Sequence, residues 1–264
     1  MSSRSAIAIV VTAGLIVLAL AGCGSSTTPS TVLPPTGTPG GASPSGLNAA
    51  ISPAPGWPAL TASEFARTID NPWFPLVPGS KWVSRGTRDG KPVVDAYEVT
   101  GRTKQILGVT CSVIRDTLTV DGRVREATWD WYAQDKQGNV WYFGEDTKEY
   151  DAAGNVASTS GSWQAGVDGA GPGIFMPAEP QVGQGGYQEY LKGEALDRYV
   201  IISLTAKVTV PYGSFGDCLE TKETTALEPG VVDHKYYVKG IGQVSETMVK
   251  GGKEASSLVS YAKP

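Results

Sequence analysis

The stretch that decides the fold is Cys111-Ser-Val-Ile-Arg-Asp-Thr-Leu-Thr-Val-Asp-Gly-Arg-Val-Arg-Glu-Ala-Thr-Trp-Asp-Trp-Tyr132. β-Branched and aromatic residues fill both halves, and Asp121-Gly122 stands between them as a hairpin signal. In the second half Glu126, Asp130 and Tyr132 share one strand face, while Trp129 and Trp131 take the other. The same strand-turn-strand grammar extends both ways. Val93–Thr100 follows Asp89-Gly90, and Gly138-Asn139 opens another run. Tyr199–Val210, Cys218–Ala226, Val231–Val238 and Val244–Lys250 follow later. Past residue 70 a helical period is conceivable only over Glu189–Arg198. The expected fold is mainly β, an antiparallel meander (half-barrel or sandwich-like) rather than an alternating βαβ chain. It forms one domain over residues 59–264, about 205 residues, enough for a sizeable core. One short N-terminal helix is expected within Leu60–Ile69, capped by Thr61 or Ser63, with Phe65 and Ile69 on one face. Asp70-Asn71-Pro72 ends it, and the prolines and aromatics up to Trp82 plug one end of the sheet.

The N-terminus carries an address. Arg4 precedes an uncharged apolar run from Ala6 to Ala21, short for a spanning helix. The run ends in Leu20-Ala21-Gly22-Cys23. This ending resembles the lipobox of bacterial lipoproteins, which implies cleavage after residue 22, lipidation of Cys23 and a cell-membrane location on the extracytoplasmic side. Residues 1–22 are then a signal peptide. Residues 23–58, rich in Ser, Thr, Pro and Gly, are a tether too poor in apolar side chains to order itself. Such a leash spans on the order of 30–35 Å.

The full chain has a net charge of −4, and losing the signal makes it one unit more negative. That balance argues against nucleic acid and against a basic grip on anionic lipid heads. With Cys23 lipidated, Cys111 and Cys218 remain, and an exported compartment permits a disulfide between them. They also begin a weak internal repeat. Thr117 and Thr224, Glu126 and Asp233, and Trp129 and Tyr236 stand at matching offsets from the two cysteines. The symmetry can bring the cysteines together or hold them apart at opposite ends. Between the halves, Gly161–Gly186 contains eight glycines and three prolines. Trp163, Phe175 and Met176 are its apolar anchors and its candidate ligand-binding residues. A loop this long is read either as a lid or binding loop, or as a packed crossover between half-sheets.

Two segments carry a family likeness. Asn71-Pro-Trp-Phe-Pro-Leu-x-Pro-Gly-Ser-x-Trp82 and Asp130-Trp-Tyr-Ala-Gln-Asp-x-x-Gly-Asn-Val-Trp-Tyr-Phe-Gly-Glu-Asp146 resemble signatures of a group of exported bacterial lipoproteins with no assigned activity. A helix packed on a long meander is also similar, at the level of fold, to the half-barrel lipoprotein-carrier proteins. That likeness implies a lipid cupped between sheet and helix.

Catalytic chemistry is thinly represented. His234 is the only histidine, which excludes a histidine-rich zinc site, and it shares a strand face with Val232, Tyr236 and Val238. Such a histidine reads as a packed, hydrogen-bonded core residue. No phosphate loop links a strand to a helix, so no nucleotide or other cofactor is expected. No catalytic residues and no firm metal ligands are assigned. Glu126, Asp130, Asp135, Glu145 and Asp146 form a weak candidate acid or calcium site near several aromatics. Against that, Asp135–Asn139 reads as a hairpin turn and the tryptophans as core fillers. The leading functional expectation is a non-enzymatic binding module for an apolar or amphipathic molecule. The alternatives are a structural or interaction module for envelope proteins or glycans, and a carboxylate-based hydrolase.

Overall fold

The computed structural model of the chain describes residues 9–11, 14–16 and 50–264. Cys23 and the tether as far as residue 49 lie outside the described residues, as does most of the expected signal peptide. Of that peptide, Ile9–Val11 and Gly14–Ile16 are described, paired antiparallel. Among the described residues no helix is long and apolar enough to cross a membrane.

The body is one antiparallel sheet. Its main strands are β1 (Lys81–Arg88), β2 (Lys91–Ile106), β3 (Val109–Val120), β4 (Arg123–Gln134), β5 (Val140–Tyr150), β6 (Gly171–Met176), β7 (Asp197–Val210), β8 (Gly213–Thr225), β9 (Val232–Val238), β10 (Gly242–Lys250) and β11 (Glu254–Ala262). Neighbours along the chain pair in order, and β11 returns to pair with β1 from Glu254↔Arg88 to Ala262↔Lys81. The remaining seam lies between β6 and β7. Glu189–Tyr190 pairs with β6 and Gly185–Tyr187 with β7. Between them the Gln188 amide donates to the Asp197 carbonyl oxygen at 2.8 Å. Residues 185–190 therefore clasp both edges, and the sheet becomes a nearly closed barrel rather than a half-barrel or sandwich. Parity explains why the clasp is needed. A ring of antiparallel neighbours closes only with an even number of staves, and the clasp is the twelfth after β11. Closure also removes the exposed edges that a long meander would otherwise present.

The Gly161–Gly186 segment is thus wall and not lid. Trp163–Gln164 pairs with β5, Gly171–Met176 is β6 itself, and Trp163, Phe175 and Met176 are all buried. The packed-crossover alternative holds. Its glycines serve close backbone approach: a Cβ on Gly173 would meet the backbone of Tyr187 and Gln188.

The expected N-terminal helix does not form. Leu60–Thr61 is a strand, Ala62–Glu64 a single 3-10 turn, and Phe65 is already extended at φ −90, ψ 145. Tertiary pairing outcompetes the helical period here. The Ala66 amide donates to the Gln134 carbonyl oxygen, and Lys136 donates to that of Glu64, both at 2.8 Å. The Phe65 ring packs edge-on against Phe143 at 5.3 Å. A helix would forfeit these contacts. Folded structure also begins before residue 59, the expected boundary. Ala50–Ile51 pairs with Leu60–Thr61, and the Trp57 indole donates to the Tyr187 carbonyl oxygen at 2.9 Å. Trp57, Phe65, Trp141 and Phe143 make a second apolar layer outside the wall.

Cys111 and Cys218 are free and both buried, so the expected disulfide is not formed. Cys111 is on β3 and Cys218 on β8, six staves apart whichever way the ring is followed. Of the two outcomes the internal repeat allows, the barrel realises the separated one.

Candidate functional site

The site is the barrel lumen, and alternation along the strands determines what lines it. Cross-strand partners Asp95↔Leu118, Tyr97↔Asp116, Ile114↔Asp130 and Leu118↔Glu126 face inward from β2, β3 and β4. From the opposite wall come Glu223 on β8, Asp233 and Lys235 on β9, and Glu246 on β10. One departure from alternation matters. Asp130 pairs with Glu145 and Tyr132 with Tyr142, so a bulge at Phe143-Gly144 turns both Tyr142 and Glu145 inward. The Tyr142 hydroxyl bridges Asp130 at 2.7 Å and Glu145 at 3.1 Å. Beside them Thr128 and Thr147, 2.6 Å apart, flank Glu126, which accepts from Thr128 at 3.1 Å.

Burial governs the electrostatics. It pushes the Glu126 carboxyl up to about 8, with Asp116 adding to the effect. Asp233 and Asp197 are each raised to about 7, again mainly by burial. Asp130, Glu145 and Glu189 are held well above the ordinary carboxylate range for the same reason. A carboxyl that loses water keeps its proton, and so a lumen this rich in acids can pack. Two cations are buried among the described residues, Arg88 and Lys235. Arg88 meets Glu254 at 2.9 Å, and Lys235 meets Glu223 at 2.8 Å. Burial works against the Lys235 charge, but Glu223 and Glu246 hold the ammonium protonated.

Open space lies toward the two ends. At one mouth the plug Asn71–Ser80 folds over the lumen. Asn71 pins it, donating to the Gly138 and Pro177 carbonyl oxygens at 2.9 and 3.0 Å and accepting from the Trp73 amide at 2.9 Å. Under this plug a small cleft of about 40 Å³ lies between Phe74, Pro75, Leu76, Trp82 and Tyr97. Asp95, Ser84 and Gln243 supply its polar lining. The Trp82 indole is held by donation to the Ile241 carbonyl oxygen at 2.7 Å. Toward the other end a second cleft of about 40 Å³ is lined by Arg88, Asp95, Asp233, Glu246 and Glu254, among others. Asp95 borders both spaces.

Of the five candidate acids, three come together. Glu126, Asp130 and Glu145 face the lumen but line neither end pocket. Asp135 stays at its turn, accepting from the Trp141 indole at 2.7 Å and from Asn139. Asp146 sits on the outer face 3.6 Å from Lys148. The five do not converge on a calcium ion, and no cluster able to hold a metal occurs among the described residues. His234 is half-buried on the outer wall, with Nδ1 2.8 Å from Glu220, and is not in the core. Trp131 and Trp141 are buried, whereas Trp129 is half-exposed with Arg102 over its ring at 5.3 Å. Sequence reasoning missed Trp82, Tyr97 and Asp95 as a group, although Trp82 closes the quoted Asn71–Trp82 motif.

No protein-family profile matches the chain, and no curated protein does. Solved structures show similarity in shape. A Bacteroides fragilis protein described as exported, with a YmcC-like fold, shares 15% identity. The match covers 72% of this chain and 99% of that one, at a TM-score of 0.43. A Parabacteroides distasonis protein described as a lipoprotein shares 12% identity over 73% of this chain and 99% of its own, at 0.36.

Proposed function

We propose that this chain is a lipid-anchored extracytoplasmic binding module, held to the membrane through Cys23, whose barrel mouth takes a small amphipathic ligand. The mouth pocket carries this reading. It combines an apolar, aromatic wall with a few polar groups, the make-up usual for small-molecule sites. The lipobox-like Leu20–Cys23 supports the anchor. A membrane-thick acyl chain does not suit the lumen, whose middle is filled by Tyr132, Tyr142, Asp130 and Glu145. The ligand therefore sits at the mouth with its polar end inward.

Two measurements test the two halves. Intact mass spectrometry of membrane-extracted protein should find a diacylglyceryl group on Cys23, and Cys23→Ala should abolish it. Native mass spectrometry of the wild-type chain should reveal a small co-purifying species, lost in Trp82→Ala. Wild-type protein that is apo and silent to a library of small amphiphiles would sink the binding reading.

A further inference from the structure

We infer that the outer face of β1–β5 rests on the anionic phospholipid headgroups of the membrane that holds the anchor, with the barrel lying on its side. The inference rests on the proposed anchor at Cys23 and is independent of the mouth cleft.

Strand alternation sorts the charges by side. Because β2–β4 turn Asp95, Asp116, Glu126 and Asp130 into the lumen, the positions between them face out. Lys81 on β1, Arg115 on β3, Arg125 on β4 and Lys148 on β5 hold such outward positions. Arg102 and Lys104, at the end of β2, lie over the rings of Trp129 and Trp131, which β4 also turns outward. Glu98 and Asp146 are the acids on this face. Lys81 meets the first at 3.2 Å and Lys148 the second at 3.6 Å. Arg102, Lys104, Arg115 and Arg125 make no ion pair among the described residues, and they leave the face strongly basic.

The formal charge of −4 hides this face. Ten of the 26 acids are buried, most of them at lumen positions, against two of the 22 cations. With Arg4 in the expected signal peptide, 19 unburied cations stand against 16 unburied acids. The surface that a partner meets is therefore net positive, the reverse of the sign that the whole-chain balance gives. The excess is also local. On the opposite wall, outward positions of β8 and β9 carry Glu220, Lys222 and His234, and Glu220 meets His234 at 2.8 Å.

Two observations select a lipid surface over a soluble polyanion. Half-exposed Trp129 has the guanidinium of Arg102 over its ring at 5.3 Å and that of Arg115 at 5.9 Å. An indole flanked by cations has the amphipathic make-up of groups that settle among headgroups. The point where the leash joins the body is the second. The folded body starts at Ala50, and the Ala54 amide donates to the Pro172 carbonyl oxygen on β6, next to β5. The leash expected from Cys23 therefore enters beside the basic face, and its reach on the order of 30 Å holds that face near the bilayer. Attraction too weak to recruit a free protein suffices once the anchor makes the contact intramolecular.

The test uses the full lipidated chain in phosphatidylcholine nanodiscs, with or without about one-third phosphatidylglycerol. Thr117→Cys places a thiol on the basic face and Thr224→Cys places one on β8, each read by its labelling rate with a membrane-impermeant maleimide. The native Cys111 and Cys218 are buried. Phosphatidylglycerol should slow labelling of Thr117→Cys at least about fivefold and leave Thr224→Cys unchanged, and about 0.5 M salt should restore the rate. Ala127→Cys, at the cross-strand neighbour of Thr117, provides a second reporter on the same face. Arg102→Gln with Arg115→Gln should remove the protection, whereas Lys222→Gln should not, with circular dichroism confirming that the variants fold. Equal rates in both discs, or equal slowing at both positions, overturn the inference. So does protection by dextran sulfate in phosphatidylcholine discs without protection by the lipid, which would make the face a site for an acidic macromolecule. A chain found by mass spectrometry to lack the diacylglyceryl group refutes the anchor instead, and the same labelling with added vesicles of the two compositions then decides the docking face by itself.

Discussion

Tyr142 shows how much a single residue organises here. Its hydroxyl holds Asp130 and Glu145 together, and burial keeps such carboxyls protonated. Glu126 makes the consequence measurable. Unfolded, it releases its proton near 4.5; folded, near 8. The folded state therefore binds more protons between those values, and the stability this supplies is complete below about 4.5 and is lost as pH rises toward 8. Asp233 and Asp197, raised to about 7, act in the same direction. Melting temperature should fall from pH 5 to pH 8, and Glu126→Gln should flatten the slope. A pH-independent wild-type melting curve would show that the lumen acids ionise freely. At the mouth, Asn71 satisfies two carbonyls and one amide, so Asn71→Ala should cost about 2–3 kcal/mol by leaving buried backbone groups unpaired. Chemical denaturation measures that directly.

Among the elements, the irregular pieces give the barrel its character. The Phe143-Gly144 bulge is needed to turn both Tyr142 and Glu145 inward, and Gly144 sits at φ 130 where a Cβ would collide with the Trp163 carbonyl oxygen. Gly144→Ala should therefore destabilise by about 2–4 kcal/mol, more than an ordinary surface change. The clasp depends on small residues in the same way. A side chain on Gly186 would run into the Trp57 ring. Gly186→Val should loosen the seam, seen as faster amide exchange in β6 and β7 with β2 and β3 unaffected. Uniform acceleration across the barrel would argue that the clasp is not a separate unit. The N-terminal segment teaches a related lesson. Thr61 and Glu64 form a capping box, the signal that suggests a helix, yet one 3-10 turn follows because pairing with Gln134 and Lys136 lies only two residues away.

For the whole molecule, ring closure settles what local reading left open. It sets Cys111 and Cys218 on opposite walls, so the unfolded, unreduced chain should expose two free thiols besides Cys23 while the native barrel shields both. A mass consistent with an intramolecular bond would contradict the topology. From sequence alone came the strands, their antiparallel order, the hairpin turns, the plug, and the shared face of Glu126, Asp130 and Tyr132, but not that this face looks inward. These follow from period-2 alternation and turn chemistry, which act over a few residues. The address proposed at Cys23 rests on a signal of the same local kind, Leu20–Cys23 after an apolar run. Tertiary structure alone decided that β11 reaches back to β1, that a clasp of six residues seals the last seam, and that Glu145 joins Asp130. Those outcomes depend on pairings between distant strands and on a one-residue bulge, each of which reverses which face a side chain presents. Trp82, Tyr97 and Asp95 became a pocket only when the plug and the β9–β10 turn closed over them. The choice of neighbours across a barrel is made by closure of the whole sheet, and no short stretch of chain encodes it.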